Sequence, residues 1–338
     1  ASLLTTYMAT PMRADQRAAR LTHDLISRRL LQWILGALWL LDGLFQLQPS
    51  MFTSTLITGF MQPLTAGQPG PVAAGLQPII NFTAQHLVPA NAAIALAQLV
   101  LGICLLGGWF VRTTLLASVV WSLAVWYWGE GLGMFLTGQA SALTGAPGAV
   151  LLYGILGLAA YPRDAAGTVG LLSRRHLQWI LAGFWAMVAV LQLQSFWWQP
   201  QQIAAAIANV EAAGTLNGTI LDSSLDWLAR LASSVEVPLN IAIIVVSLAL
   251  AIGLAVVPRQ RIRPLLAVSI VLSLLFWWAT EGFGLILTGT TTDFNSGLLV
   301  VLLALACWPV VRPGVVYAAN QTARGRHGPR ARAVGELG

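Results

Sequence analysis

The chain repeats itself, and the repeat limits the fold more than any other feature. Arg28 to Trp39 reads RRLLQWILGALW and Arg174 to Trp185 reads RRHLQWILAGFW, a shift of 146 residues. Gln46-Leu47-Gln48 recurs at that shift as Gln192-Leu193-Gln194. Further along, Pro89-Ala-Asn pairs with Pro238-Leu-Asn, WYWGEGLGMFLTG from Trp126 pairs with WWATEGFGLILTG from Trp277, and Tyr161-Pro162 pairs with Trp308-Pro309. A whole structural unit is therefore present twice, and any fold has to accommodate two copies of it.

Each copy is built from long apolar runs. Of 338 residues 57% are apolar and 9% are charged, against roughly a quarter charged in an ordinary soluble domain. Several runs approach the roughly 20 residues that a helix needs to cross a bilayer. Four spans are expected per copy, at about 31–48, 91–111, 113–136 and 148–162, then 177–194, 239–257, 264–287 and 296–311. The predicted fold is all-α: a polytopic membrane bundle of eight transmembrane helices in two four-helix repeats. An even number of spans per copy inserts both copies in the same sense, as parallel repeats. The expected organisation is a cytoplasmic N-terminal segment 1–29, a first repeat 30–163, a second repeat 174–312 and an arginine-rich cytoplasmic tail 313–338.

The net charge of +6 raises the question of a nucleic-acid partner, and the placement of the basic residues answers it. All eighteen are arginine, and seventeen fall at the chain ends or in turns on one predicted side, leaving only Arg230 opposite. This is the positive-inside pattern of a multi-pass protein of the cell's cytoplasmic membrane with both termini cytoplasmic. The expected partners are the bilayer and other proteins of a membrane complex, not nucleic acid. No short cleavable apolar segment follows Arg13 to Arg29, so the first span is expected to serve as the targeting signal. Two long segments, 49–90 and 195–238, then lie outside; the second has the period of an amphipathic helix around Leu225 to Ala232.

Absences narrow the chemistry. With no lysine there is no Schiff-base cofactor. His23, His86, His176 and His327 are too scattered for a bis-histidine haem. Cys104 and Cys307 read as packed thiols, and no phosphate loop, dinucleotide fingerprint or metal motif is present. No intrinsic cofactor is evident.

Three carboxylates do fall inside the predicted spans: Asp42, Glu130 and Glu281. Charge there costs about 2.5–3.5 kcal/mol on insertion scales, so such groups face the protein interior and often mark a functional path. Asp42 lies about 20 Å beyond Arg29 and Glu130 about 27 Å beyond Arg112 at 1.5 Å per helical residue, both in the outer half. Gln46 follows Asp42 by one turn, and Gln98 enters from outside to a similar depth. Asp42, Gln46, Gln98 and Glu130 are thus expected to form one outward-opening polar pocket for a ligand or a proton. The second repeat keeps Gln192 and Glu281 but has Val188 for Asp42 and Ser247 for Gln98. The plainer alternative is structural: in GEGLG and TEGFG the glycines permit a backbone break, and each glutamate accepts from the freed N–H groups.

Arg29, Leu35-Gly36, Asp42-Gly43, Gln46-Leu47 and Pro49, with WGEGLG at Trp128 to Gly133, resemble the DoxX/DoxD-like membrane proteins, which are four-helix units. The resemblance covers both copies; the fused pair is a departure from it. It implies an integral membrane subunit of a redox complex, of a kind that includes quinone-linked ones, with electrons carried by a bound quinone or by another subunit. A bound lipid is the other cofactor class. Two alternatives stand beside it: a transporter for a small solute or ion, with a site where the repeats meet, and a non-catalytic scaffold subunit.

Overall fold

The computed structural model describes residues 22–164, 169–212, 220–286 and 288–311. Most of the N-terminal arginine segment, the tail 313–338, part of the linker between the repeats and part of the segment 195–238 lie outside them. The chain divides into two units. The described part of the smaller is a two-stranded antiparallel ladder, β1 (Thr22–Asp24) with β2 (Pro309–Val311), Thr22 opposite Val311.

The larger unit, Ile26–Trp308, is helical. Its first half contains α1 (Arg28–Phe45), α2 (Gly70–Gln85), α3 (Leu87–Gly107), α4 (Val111–Trp128) and α5 (Ala149–Ala160). Its second half contains α6 (Arg174–Leu191), α7 (Gln202–Ala212), α8 (Ile220–Ser234), α9 (Glu236–Val256), α10 (Arg263–Ala279) and α11 (Asn295–Cys307). The expectation of an all-helical chain holds. Among the described helices α3 and α9, each of 21 residues, are long and apolar enough to cross a membrane.

The same packing scheme occurs in both halves. α1 lies on α3 as α6 lies on α9, α4 on α5 as α10 on α11, and α1 on α5 as α6 on α11; α5 meets α11 across the halves. Buried hydrogen bonds follow the repeat. The Trp39 indole donates to Ser118 Oγ at 2.7 Å, and Trp185 to Ser269 Oγ at 2.8 Å. Gln32 donates to Leu105 O at 2.8 Å, and Gln178 to Leu254 O at 2.6 Å. Asn91 donates to Gln46 O at 2.8 Å, and Asn240 to Gln192 O at 3.2 Å. These side chains are the polar letters shared by the two copies, each holding one helix to another where an unpaired amide would cost about 1–3 kcal/mol.

α5 and α11 are buried on nearly every side, as helices apolar all round must be. α3 and α9 are the reverse. Leu96, Val100 and Ile103, and Val245, Leu248 and Ile252, are 46% exposed or more in every case. α1 and α3 approach closely through glycine: a Cβ on Gly102 would stand 2.5 Å from Leu40 N, and one on Gly43 2.8 Å from Leu99 Cγ. The second half has Ala251 and Ala189 at these positions.

The predicted spans need adjustment at three places. The third of each copy is shorter than the ranges 113–136 and 264–287, ending at Trp128 and Ala279. The fourth is a helix of 12 or 13 residues. The segment 49–90 contains α2, with Pro71 in its first turn and Pro78 inside it. The amphipathic reading of the second segment holds: Leu225 and Ala232 of α8 are buried while Trp227 is 58% exposed.

Candidate functional site

Ser27 starts α1 by accepting from Leu30 N at 3.1 Å, and eighteen residues of helix carry Asp42 to its last turn. Gln46 follows at the C-terminal cap, where its carbonyl takes the Asn91 amide of α3. One face of α3 then presents Gln98 toward the same place. Asp42, Gln46 and Gln98 are 1%, 7% and 4% exposed.

Glu130 arrives by a different device. α4 ends, and the next residues take positive φ in succession: Gly131 (+53°), Leu132 (+59°), Gly133 (+62°) and Met134 (+58°). The second half does the same at Gly282, Phe283, Gly284 and Leu285. This is a left-handed turn, in which two glycines enter freely and two larger residues are held at a cost of about 1–2 kcal/mol each. Trp126 donates to Pro147 O at 2.7 Å as Trp277 donates to Phe294 O at 2.8 Å, tying each turn to the start of the following helix.

The plainer expectation for the glutamates holds in a modified form. Neither caps its own helix; each reaches the next one. Glu130 Oε1 accepts from Val150 N at 3.1 Å at the start of α5, and Glu281 accepts from Gly297 N at 2.9 Å and Ser296 Oγ at 2.5 Å at the start of α11. The two differ in what is left over. Both oxygens of Glu281 are used, whereas Glu130 Oε2 has no partner.

Glu130 joins the other three predicted residues, Asp42, Gln46 and Gln98, in lining a cavity of about 90 Å³ that also meets Leu56, Phe60 and Met61 of the segment after α1. A second chamber of about 340 Å³ shares Phe60, Gly129, Glu130, Thr292 and Asp293 with it. Both Asp42 oxygens, Gln46 Oε1 and Gln98 Oε1 are buried without a hydrogen-bond partner. Tyr153 of α5 adjoins Asp42, and its hydroxyl also lacks a partner of good geometry.

Two members of this site were not anticipated. Asp293 comes from the second half, in the turn before α11, and lines both chambers. It accepts from Asn295 N at 2.7 Å and Thr292 Oγ1 at 3.0 Å. Tyr153 is the other; its signal was a phenol in the otherwise aliphatic run AVLLYGILGLAA.

The second-half counterparts do not form such a pocket. Val188 stands for Asp42 and Val300 for Tyr153, both fully buried in the apolar core. Gln192 is buried with neither amide atom partnered. Ser247 lines a cavity of about 270 Å³ in which Ile243, Phe276, Ala279 and Thr280 occupy the positions of Ile94, Val125, Trp128 and Gly129 around the polar pocket. The repeat thus carries two related hollows, one acidic and one apolar. His86 sits between α2 and α3, its ring 4.8 Å from Phe82, and does not line the pocket. Cys104 and Cys307 are not joined in a disulfide. Among the described residues no three His, Cys, Asp or Glu side chains are grouped to hold a metal ion.

The chain matches no family model, no curated protein and no solved structure.

Proposed function

We propose that the chain is an eight-span integral membrane protein, both termini cytoplasmic, whose working site is the polar pocket of its first half. It acts as the membrane subunit of a redox complex of the DoxX/DoxD-like kind, quinone-linked, with the pocket receiving a small polar ligand or relaying protons. The observation that carries the site is the convergence of Asp42, Gln46, Gln98 and Glu130 on one cavity with buried oxygens left unpartnered. Unpartnered buried polar groups are costly, and in the second half Val188 and Ser247 stand where Asp42 and Gln98 do in the first.

The membrane reading is supported by where the apolar surface lies. A long apolar helix in the core of a soluble protein is mostly buried; α3 and α9 are 33% and 28% buried over their apolar windows, and exposed apolar area of that extent needs a partner such as lipid. The arginine distribution supports the orientation. The fourth helices, at 12 and 13 residues, cover about 18–20 Å at 1.5 Å per residue. They span only together with the left-handed turns and loops that precede them, non-helical backbone tolerated where it lines a protein interior.

A second reading has one specific observation behind it. Asp293 and Thr292 bring the second half into the wall of the pocket, and a site where repeats meet is the arrangement of solute transporters. Mass spectrometry of the protein extracted gently from its native membrane separates the two. Stoichiometric redox proteins or quinone support the redox subunit; a bare chain moves the assignment to the transporter. Asp42→Asn is expected to abolish activity under either, and full activity in that variant would overturn the site.

A further inference from the structure

The pocket has a definite chemical bias. Three of its lining side chains are carboxylates, Asp42, Glu130 and Asp293, and none is basic. Arg28, at the start of α1, is 14 residues from Asp42, about 21 Å along the helix. The unpartnered buried atoms are Asp42 Oδ1 and Oδ2, Gln46 Oε1, Gln98 Oε1 and Glu130 Oε2. Rotating a glutamine amide exchanges its oxygen for nitrogen, but an ionised carboxylate offers acceptors only. A ligand that satisfies this site brings donors and positive charge.

Two further features decide what kind of cation. The side chains of Gln46 and Gln98 line the hollow beside the three carboxylates, so the complementary ligand offers several N–H groups at once. Trp128 lines the same cavity, and tryptophan is the side chain that attracts organic cations best. The space, about 90 Å³, compares with roughly 30 Å³ per liquid water, room for a head group of roughly three to five heavy atoms. The larger chamber beside it accommodates whatever the head is attached to.

We propose that the first-half pocket binds a small organic cation of the guanidinium, amidine or primary ammonium class, its N–H groups shared among Asp42, Glu130, Asp293 and the amides of Gln46 and Gln98. This rests on the pocket being the working site and names what it takes. The second half is excluded from the same role because Val188 and Ser247 replace the groups that would meet the cation and Glu281 is fully occupied.

The test uses the full chain in detergent with methylguanidinium as probe, titrated by tryptophan fluorescence and by calorimetry. N-methylurea, its neutral analogue, acetate and sodium serve as comparators. Saturable binding of methylguanidinium is expected, weakened at least tenfold by Asp42→Asn and by Glu130→Gln. Asp42→Val provides a second variant that copies a residue the other half already buries at this position, so loss of binding can be read on a folded protein. If N-methylurea, acetate or sodium binds as tightly and in an Asp42-dependent way, the cation class is overturned while the pocket stands as a site. If methylguanidinium does not bind, or binds equally to Asp42→Val, the inference falls. Full native activity in Asp42→Asn would remove the underlying site as well.

Discussion

Gly148→Ala puts the construction of the site to a quantitative test. Gly148 precedes α5 at φ +103° and ψ +137°, and a Cβ there would stand 2.1 Å from Glu130 Oε2 and 3.0 Å from its Cδ. The methyl and the carboxylate cannot coexist, so Glu130 has to leave its bond to Val150 N. Losing a hydrogen bond to a charged group costs about 1.5–3 kcal/mol, and alanine in this backbone region costs about 1–3 kcal/mol more, for a total of about 2.5–6 kcal/mol. The two parts can be separated. On a Glu130→Ala background the clash is gone, and Gly148→Ala is expected to cost only its backbone share, leaving a coupling of about 1.5–3 kcal/mol in the double-mutant cycle. Gly145→Ala, in the same loop at φ +87° with nothing within 4 Å of its Cβ, should cost about 1–2 kcal/mol and show no coupling to Glu130. The assay is unfolding in mixed micelles as the fraction of SDS is raised, followed by tryptophan fluorescence. Additive costs for Gly148→Ala and Glu130→Ala would refute the placement of Glu130 against the start of α5.

Asp42→Val, placing the second half's residue in the first, is expected to raise the unfolding midpoint by the equivalent of about 1–3 kcal/mol, because it removes a buried carboxyl without a partner; a lower midpoint in the same micelle assay would mean that Asp42 is well satisfied. Trp39→Phe and Trp185→Phe each delete one indole bond to a serine and should destabilise by about 1 kcal/mol apiece beyond their packing loss, with values alike for the two halves; a large disparity would argue against structural equivalence of the copies. Gly102→Ala forces α1 and α3 apart at Leu40 and is expected to cost about 1–3 kcal/mol as overpacking does, read by the same unfolding titration. Cation affinity should rise with pH and be lost at low pH, since the bound cation favours the ionised carboxylates among Asp42, Glu130 and Asp293, with the Tyr153 hydroxyl as the remaining titratable neighbour. Asp293→Asn should flatten that part of the profile; an unchanged profile would remove Asp293 from the site.

Much of this arrangement was legible because the chain is written twice. The pairs Trp39/Trp185, Gln32/Gln178 and Asn91/Asn240 stand out as polar residues shared by two otherwise apolar copies, and each proves to hold helices together. Departures from the repeat, above all Asp42 against Val188, marked the pocket, and helical spacing with depth counting brought its four residues together. Hydrophobicity carried no record of backbone handedness, so the third span was drawn past Trp128 through residues that turn left. The segment 49–90 reads only as an outside segment; α2 starts there with Pro71 in its first turn, where a proline sacrifices no hydrogen bond, and carries Pro78 inside it. Asp293 escaped because depth was counted only along helices, and it reaches the pocket from a turn of the other copy. Tyr153 escaped because a single phenol in an aliphatic run scores as apolar.

Asp293 gives the tandem arrangement a meaning that neither copy has alone. Were the two units separate and identical chains, a symmetric pair would hold two acidic hollows or two apolar ones, and whatever completed one would complete both. Joined in a single polypeptide, they are free to differ. One copy keeps the acid and the phenol, the other gives them up for a valine pair and lends a carboxylate across the seam. The fusion fixes the stoichiometry at one site per chain, and it makes that site the property of the pair.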